Sequence, residues 1–436
     1  MTATASREAA LQVLGAVRRG VLADRALHRA QAGLAARDRA WVHELSYGAL
    51  RLRARLDRRI AAVVRRGLEA VEPELLDILR LGAYQLTEMG GVPVWAAVNE
   101  TVELAKPRGR RAAGFVNGVL KAVSRADREA GFPDPVKDPI GHLVEWGSHP
   151  RWLVERWTDR WGLDGTRRLV ETNNQRADVF LRPLGIGVAE ALERLLAAGM
   201  DGEAVGGVNA IRLGPGVAPE AALAAVPAVV QDPAAGLVAD CTGPVDGAIV
   251  ADLCAAPGGK AIALAAGGAG GRPRRVIASD VSARRLRRLR DNAARVGGLA
   301  LDVVAADARR PAVGCADIVL VDAPCSGTGT FRRHPDARWR LESAGIASLA
   351  RLQDDLLDGA ARIVAPGGLL VYATCTLESE ENGDRVTAFL ERHGDYEVEP
   401  CAGVDPAFID EGGRLLVLPH EHGFDGAFAA RLRRRQ

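Results

Sequence analysis

Two cysteines in this chain stand just past short apolar runs: Cys325 in "IVLVDAPCSGTG" and Cys375 in "YATCTLESEEN". One cysteine in such surroundings is most often a small buried hydrophobe. Two of them, each beside Gly, Ser or Thr at the end of a run that reads as a strand, point instead to a pair of working thiols. A thiolate is a strong nucleophile at carbon, and a second thiol beside it can assist release of what the first one captures. Asp322, three residues before Cys325, adds a carboxylate that can hydrogen-bond the edge of a planar substrate and stabilise charge developing on it. Residue type and spacing leave open which sulfur attacks.

A third stretch, "VADLCAAPGGKAIAL", supplies a ligand loop. Small side chains and two glycines let backbone N–H groups approach a ligand, and the helix that follows favours negative charge at its start. The dinucleotide pattern G-x-G-x-x-G is absent, and the phosphate-loop pattern fails because Lys260 is followed by Ala261 and the first glycine is missing. What remains is an adenosine joined to an amino acid, such as S-adenosyl-L-methionine. Cys254, Ala255, Ala256, Pro257, Gly258, Gly259 and Lys260 would hold its carboxylate end. Asp280 lies 21 residues after Gly259, where a carboxylate meets a ribose diol in such folds. Arg285 stands beside it, Asp307 is placed to face the adenine amino group, and Asp322 borders the same edge. Either Asp280 or Asp307 alone could be an ordinary helix cap; two in the right order after the loop favour the cofactor.

A methyl donor and two thiols suit one reaction in particular. Carbon 5 of cytosine is too weak a nucleophile to take a methyl group directly. A thiolate that first adds at carbon 6 creates an enamine that accepts it, after which the carbon 5 proton leaves and the thiol is eliminated. Asp322 would then serve N3 or the exocyclic amine of the base.

The elements that must position these groups are legible in the hydrophobic pattern. From about residue 240 onward, "GAIVADLC", "RRVIASD", "LDVVAAD", "ADIVLVDAP" and "GLLVYATC" read as strands buried on both faces, separated by helices such as "SARRLRRLRDNAARVG" and "LARLQDDLLDGAARIV". This predicts a doubly wound α/β sheet with its ligand beyond the carboxyl ends of the strands. The strands leading to Cys325 and Cys375 are expected as neighbours, about 4.8 Å apart. A last strand, "AFAARLRR", could close the sheet. Residues 1–130 carry apolar residues at helical spacing and predict an α-helical bundle. The proline-rich 131–147 reads as a linker, 148–235 as a small α+β segment, and 236–436 as the catalytic domain.

Composition sets the remaining bounds. Of 436 residues, 48% are hydrophobic and 26% charged, enough for sizeable cores. No apolar run suggests a membrane span, and the start "MTATASREAA" lacks the pattern of an export signal. Six cysteines over this length do not form a disulfide framework, and without any C-x-x-C pair no structural metal is expected. A reduced, cytoplasmic setting is the expectation. The net charge of +2 is uneven: residues 1–130 hold 22 Lys/Arg against 14 Asp/Glu, which suits a polyanion partner. In "FRRHPDARWR", Arg332, Arg333, Arg338 and Trp339 interleave guanidinium groups with an aromatic ring, as in a site for an RNA backbone and a splayed-out base. His43, His149 and His334 have no metal-ligand spacing and read as packed or hydrogen-bonded groups.

"DLCAAPGGK", "DAPCSGTGTFRRHPDARWR", "YATCTLESEEN" and "LPHEHGFDGAFAARLRR" resemble the bacterial 16S rRNA cytosine-5 methyltransferases of the RsmB/Sun type. "RDRAWVHELSYGALR" and "PVWAAVNETVELAK" resemble its NusB-like RNA-binding domain, "HPRWLVERW" and "NNQRADVFLRP" the segment that follows, and "VVQDPAAGLVAD" the entry to the catalytic domain. The resemblance implies a Rossmann-like S-adenosylmethionine-dependent methyltransferase domain preceded by an all-α NusB-like bundle. It further implies that Cys375, in the Thr-Cys motif, attacks and Cys325, in the Pro-Cys motif, assists product release. Small-subunit rRNA is the implied partner, with no membrane, no metal and a monomeric chain. Other RNA substrates, or a pure RNA-binding module, are the competing readings; the intact loop, Asp322 and both cysteines argue against a chain without activity.

Overall fold

The computed structural model describes residues 5–127, 129–267, 271–401 and 403–436, which divide into two compact units. The first comprises residues 1–176 together with 331–340; the second comprises residues 177–330 and 341–436.

The first unit is helical. Ala5–Arg18, Ala36–Arg51, Pro73–Thr87, Val94–Ala105 and Arg110–Arg125 are its longer elements, followed by Arg151–Asn174. Apolar residues at helical spacing meet in one core that includes Leu14, Leu45, Leu56, Ile78, Leu81, Val98 and Leu120. The helix Arg151–Asn174 is broken at Gly162, whose φ of 69° lies in the left-handed region that glycine tolerates. The expected α+β segment 148–235 is divided: its long helix belongs to the first unit, its strands to the second.

The second unit holds two sheets. The smaller joins β1 (Phe180–Pro183), β2 (Gly202–Ala204), β3 (Ile211–Leu213) and β4 (Ala228–Val230), antiparallel in the order β2-β3-β1-β4. The larger contains β5 (Ile249–Asp252), β6 (Arg275–Asp280), β7 (Leu301–Ala305), β8 (Ala316–Asp322), β9 (Val364–Thr374), β10 (Tyr396–Glu399), β11 (Leu415–Val417) and β12 (Ala427–Arg434). Its order is β10-β12-β9-β8-β5-β6-β7, with β11 paired to β12.

β5 to β9 run parallel in the doubly wound manner, and their near-continuous apolar runs follow from cover on both faces. In β9, Leu369, Val371 and Ala373 enter one core with Leu264, Leu286 and Leu289, while Leu370 and Tyr372 enter the other with Leu357, Val386 and Phe389. β12 pairs antiparallel with β9, as "AFAARLRR" suggested.

One pair of cysteines departs from the expectation of a fully reduced chain. Cys241 and Cys401, both buried in the second unit and 5.2 Å apart at Cα, are joined by a disulfide, leaving Cys254, Cys315, Cys325 and Cys375 free. Sequence could not suggest it, because 160 residues separate the partners. Among the described residues no helix is long and apolar enough to cross a membrane, and no group of three or more His, Cys, Asp or Glu residues is arranged to hold a metal ion.

Candidate active site

The parallel register of β8 and β9 sets Asp322 opposite Ala373, so the chain leaves both strands at the same level. Cys325 lies three residues beyond Asp322 and Cys375 two beyond Ala373, and the two sulfurs come to 3.3 Å. The backbone N–H of Cys375 also donates to the Cys325 sulfur at 3.4 Å. Both side chains are half-buried. Two thiolates cannot coexist at this distance, so the pair shares a proton. Cys375 is the sulfur favoured as thiolate: the hydrogen bond from Cys325 lowers its pKa against burial and the Asp322 charge, with Lys260 partly offsetting the latter. Cys325 is pushed well up by that same bond, by burial and by the charges of Cys375 and Glu381.

The turn after Cys325 is locked in place by backbone. Gly329 N–H donates to the Cys375 carbonyl at 3.1 Å, and Gly426 N–H donates to the Gly329 carbonyl at 2.8 Å. A Cβ on Gly329 would lie 2.6 Å from Gly426 Cα and 2.8 Å from the Cys375 oxygen. Gly329→Ala therefore forces backbone apart. We expect it to cost about 1–3 kcal/mol, seen as a lowered melting temperature, and to disturb the Cys375 loop, seen as altered thiol alkylation. The "HGFDGAF" segment thus braces the thiol loops.

Lys260 Nζ reaches Asp322 Oδ2 at 2.8 Å, joining the loop after β5 to the end of β8. In the loop, Cys254 is half-buried, and burial pushes its thiol well up. Ala255 N–H donates to the Ser279 carbonyl at 2.9 Å, and Ala256 N–H to Asp280 Oδ2 at 3.3 Å. The Ala256–Pro257 peptide is cis. Gly258 has φ 112°, and a Cβ there would strike Leu289 at 2.7 Å, so only glycine fits at the start of the helix Gly259–Ala266. Arg285 bonds the Ala256 carbonyl and pairs with Asp280 at 3.1 Å.

Two of the expected cofactor acids are engaged by the protein itself. Asp280 is 3% exposed, and its oxygens accept from Ala256 and Ser282 N–H, which ties it to the loop. Asp307 lies just past β7 and is held by the Arg309 guanidinium and backbone N–H, which lower its pKa.

A residue the sequence reading passed over, Asp252, ends β5 directly before the loop. It is 1% exposed, and its Oδ2 is buried without a hydrogen-bond partner among the described residues. Burial, followed by the charge of Asp322, raises its pKa to about 7. An acid at the carboxyl end of the first parallel strand, just before a glycine loop, was the signal that could have found it. Gln231 Oε1 is likewise buried and unpaired, and its amide nitrogen would lie 3.1 Å from a Cβ placed on Gly259. Small side chains, unpaired buried oxygens and one lysine fit a ligand that brings its own hydrogen-bond donors and a carboxylate, as an amino-acid nucleoside does.

The raised Asp252 sets a pH dependence. A carboxyl whose folded pKa exceeds its unfolded value of about 3.9 leaves stability intact at low pH and subtracts it progressively as pH rises from about 4 to about 7. Asp252→Asn is expected to stabilise the ligand-free chain by up to about 4 kcal/mol at pH 8. Thermal melts across this range should show the gain vanish near pH 4.

The basic segment after Cys325 is not where it was expected. Arg332, Arg333, Arg338 and Trp339 belong to the first, helical unit. Arg338 is fully buried and donates to the carbonyl oxygens of Ser148, Asn173 and Phe331 and to Asn174 Oδ1, at 2.9–3.3 Å. Arg332 is 5% exposed, and the Trp339 indole N–H donates to the Leu50 carbonyl at 2.9 Å. Arg332 and Arg338 therefore cannot grip an RNA backbone, since their charges are enclosed by protein. Beside them His149 is fully buried; burial and then Arg338 lower its pKa, so it is neutral.

The family described as "16S rRNA methyltransferase RsmB/F" matches residues 240–433, the NusB family residues 4–125, and the ferredoxin-like domain of RsmF/B-like methyltransferases residues 149–218. Ribosomal RNA small subunit methyltransferase B of Vibrio vulnificus (strain YJ016) is 34% identical over 442 residues, spanning 97% of this chain and 98% of its own. The same-named protein of Sodalis glossinidius is 35% identical, over 92% of this chain and 91% of its own. Among solved structures, PH0851 aligns with a TM-score of 0.79 at 25% identity over 99% of both chains. With parallel sheet, glycine loop and paired thiols in place, this chain belongs to the RsmB/F family of S-adenosylmethionine-dependent 16S rRNA methyltransferases.

Proposed function

We propose that this protein methylates carbon 5 of a cytosine in small-subunit rRNA, through a transient covalent bond between Cys375 and carbon 6 of the base. The observation that carries this reading is the pair of half-buried sulfurs 3.3 Å apart, whose mutual hydrogen bond lowers the pKa of Cys375 and raises that of Cys325.

The residues from Cys254 to Lys260, with Asp252, would hold the cofactor beside them. S-adenosylmethionine supplies an electrophilic methyl group when bound. Cys375 contributes the electron pair that forms the S–C6 bond and makes carbon 5 nucleophilic. Asp322, fixed by Lys260, is assigned to the edge of the base, where charge develops. Carbon 5 then loses its proton to a base, the electron pair reforms the C5–C6 double bond, and the C6–S bond breaks to return Cys375 as thiolate. Cys325 is assigned to assist that release. Asp280, Arg285 and Asp307 are assigned to the cofactor site, the first two through their support of the loop. The NusB-like helical unit, whose sequence carries the basic excess, is assigned to RNA, and Arg333 remains a candidate contact. Such an enzyme would act in the cytoplasm, on a base taken out of its stack.

Bisulfite sequencing of rRNA and tRNA from cells lacking the protein tests the reading. Loss of one 5-methylcytosine in small-subunit rRNA, restored by the wild-type gene and not by Cys375→Ala, is the expected result. Loss confined to tRNA or large-subunit rRNA would overturn the substrate, and no loss would overturn the reaction.

A further inference from the structure

Glu381, in the short 3-10 turn Ser379–Glu381 after Cys375, is a charged group that the reaction itself does not use. It is completely buried. Its Oε1 accepts from Ser326 N–H at 2.9 Å and from the Gln353 side-chain amide at 3.0 Å, and its Oε2 accepts from the Ser326 hydroxyl. No Lys, Arg or His pairs with it among the described residues. Its hydrogen-bond partners among the described residues are all neutral donors. Ser326 follows Cys325 directly, and its hydroxyl also bonds Thr376, the residue after Cys375, at 2.6 Å. Thr376 in turn bonds the Thr328 hydroxyl at 3.0 Å. The carboxylate therefore ties the two thiol-bearing loops to each other and, through Gln353, to the helix Ser343–Ala361.

We propose that Glu381 is a positioning residue that clamps the Cys325 turn and, through its buried negative charge, holds the shared proton on Cys325, reserving the thiolate for Cys375. The proposal rests on the reading of Cys375 as the attacking sulfur. Charged groups lie near both sulfurs. Cys325 faces Glu381 and the phenol of Tyr372, which donates to the Glu381 carbonyl at 2.6 Å. Arg385 and Asp354, on the adjoining helices, pair with each other. Cys375 faces Lys260, with Asp322 and Asp425 opposing it. Three features favour the opposite order: the Asp322 and Asp425 carboxylates near Cys375 and the Cys375 N–H on the Cys325 sulfur. The Lys260 ammonium, paired with Asp322 at 2.8 Å, offsets that carboxylate, and the N–H is a single neutral donor, weaker than a buried charge.

The test is site-resolved alkylation of the full chain with iodoacetamide from pH 6 to 10, read by peptide mass spectrometry. In the wild-type protein Cys375 should be modified at lower pH than Cys325. Glu381→Gln removes the charge but keeps a side chain of the same shape, whose oxygen and nitrogen can still meet Ser326 and Gln353. It should raise Cys325 alkylation near neutral pH about tenfold, one unit of pKa. Ser326→Ala, which weakens the clamp and leaves the charge, should preserve the wild-type order. A folded Glu381→Gln protein with an unchanged Cys325 profile overturns the proposal. If that variant does not fold, the wild-type order decides: Cys375 first upholds it and Cys325 first overturns it. Covalent capture of RNA by Cys325 instead of Cys375 would refute the underlying assignment of roles, a result read on gels and separate from the alkylation profile.

Discussion

Cys375→Ala is expected to lower methyl transfer by roughly 10⁵-fold or more, the scale on which enzymes lose rate when a covalent nucleophile is deleted. Cys325→Ala should behave differently. The remaining sulfur at position 375 keeps Lys260 as its neighbour and loses only the partner that shares its proton. It should still attack, while release is impaired, so protein covalently joined to RNA accumulates. Denaturing gels with labelled RNA read both outcomes: no adduct and no methylation for the first variant, and a retarded band for the second. The opposite pattern would exchange the roles of the two thiols. The double variant should form no adduct, which separates covalent capture from tight binding.

Arg338→Ala should cause the largest loss of stability. The guanidinium is wholly enclosed, and among the described residues its hydrogen bonds go to carbonyl and amide oxygens and the His149 ring, with no carboxylate among them. Burial depresses its pKa well below the usual arginine range, with Arg51 adding to the effect. Removing it leaves several buried acceptors unpaired, each costing about 1–3 kcal/mol; partial relaxation brings the expected total to about 3–5 kcal/mol. For a unit of this size a melting temperature lower by about 6–15 °C follows. Arg338→Lys keeps the charge but not the planar fork and should recover only part of the loss. Ser148, whose carbonyl accepts from Arg338, has a φ of 58° that a serine rarely adopts. That bond offsets the strain, so hydrogen exchange around Ser148 should rise first in the variant.

Local pattern was enough to read the strands from β5 to β9, the glycine loop between β5 and its helix, the helical bundle of residues 1–130 and the closing strand β12. Each of these is written in contiguous residues: apolar runs of strand length, 3.6-residue spacing, or glycines where a backbone must turn. The same pattern placed Cys325 and Cys375 at strand ends and suggested that they are neighbours. It could not place the segment 331–340, where alternating arginines and an aromatic ring look the same whether they face RNA or a protein interior. Burial decided that Arg338 is a structural cation, and burial is a property of the assembled unit.

Sequence alone determined which reactive groups the chain carries, because thiols, carboxylate, lysine and glycine loop are fixed by residue type and by place along the chain. Tertiary structure alone decided how that chemistry is biased. The register of β8 on β9 sets the sulfurs 3.3 Å apart. The fold brings Glu381 to Ser326 across 55 residues and to Gln353 across 28, and it leaves Asp252 buried beside the loop. Electrostatic bias depends on distance and on exclusion of water, and neither is encoded in any local stretch of the chain.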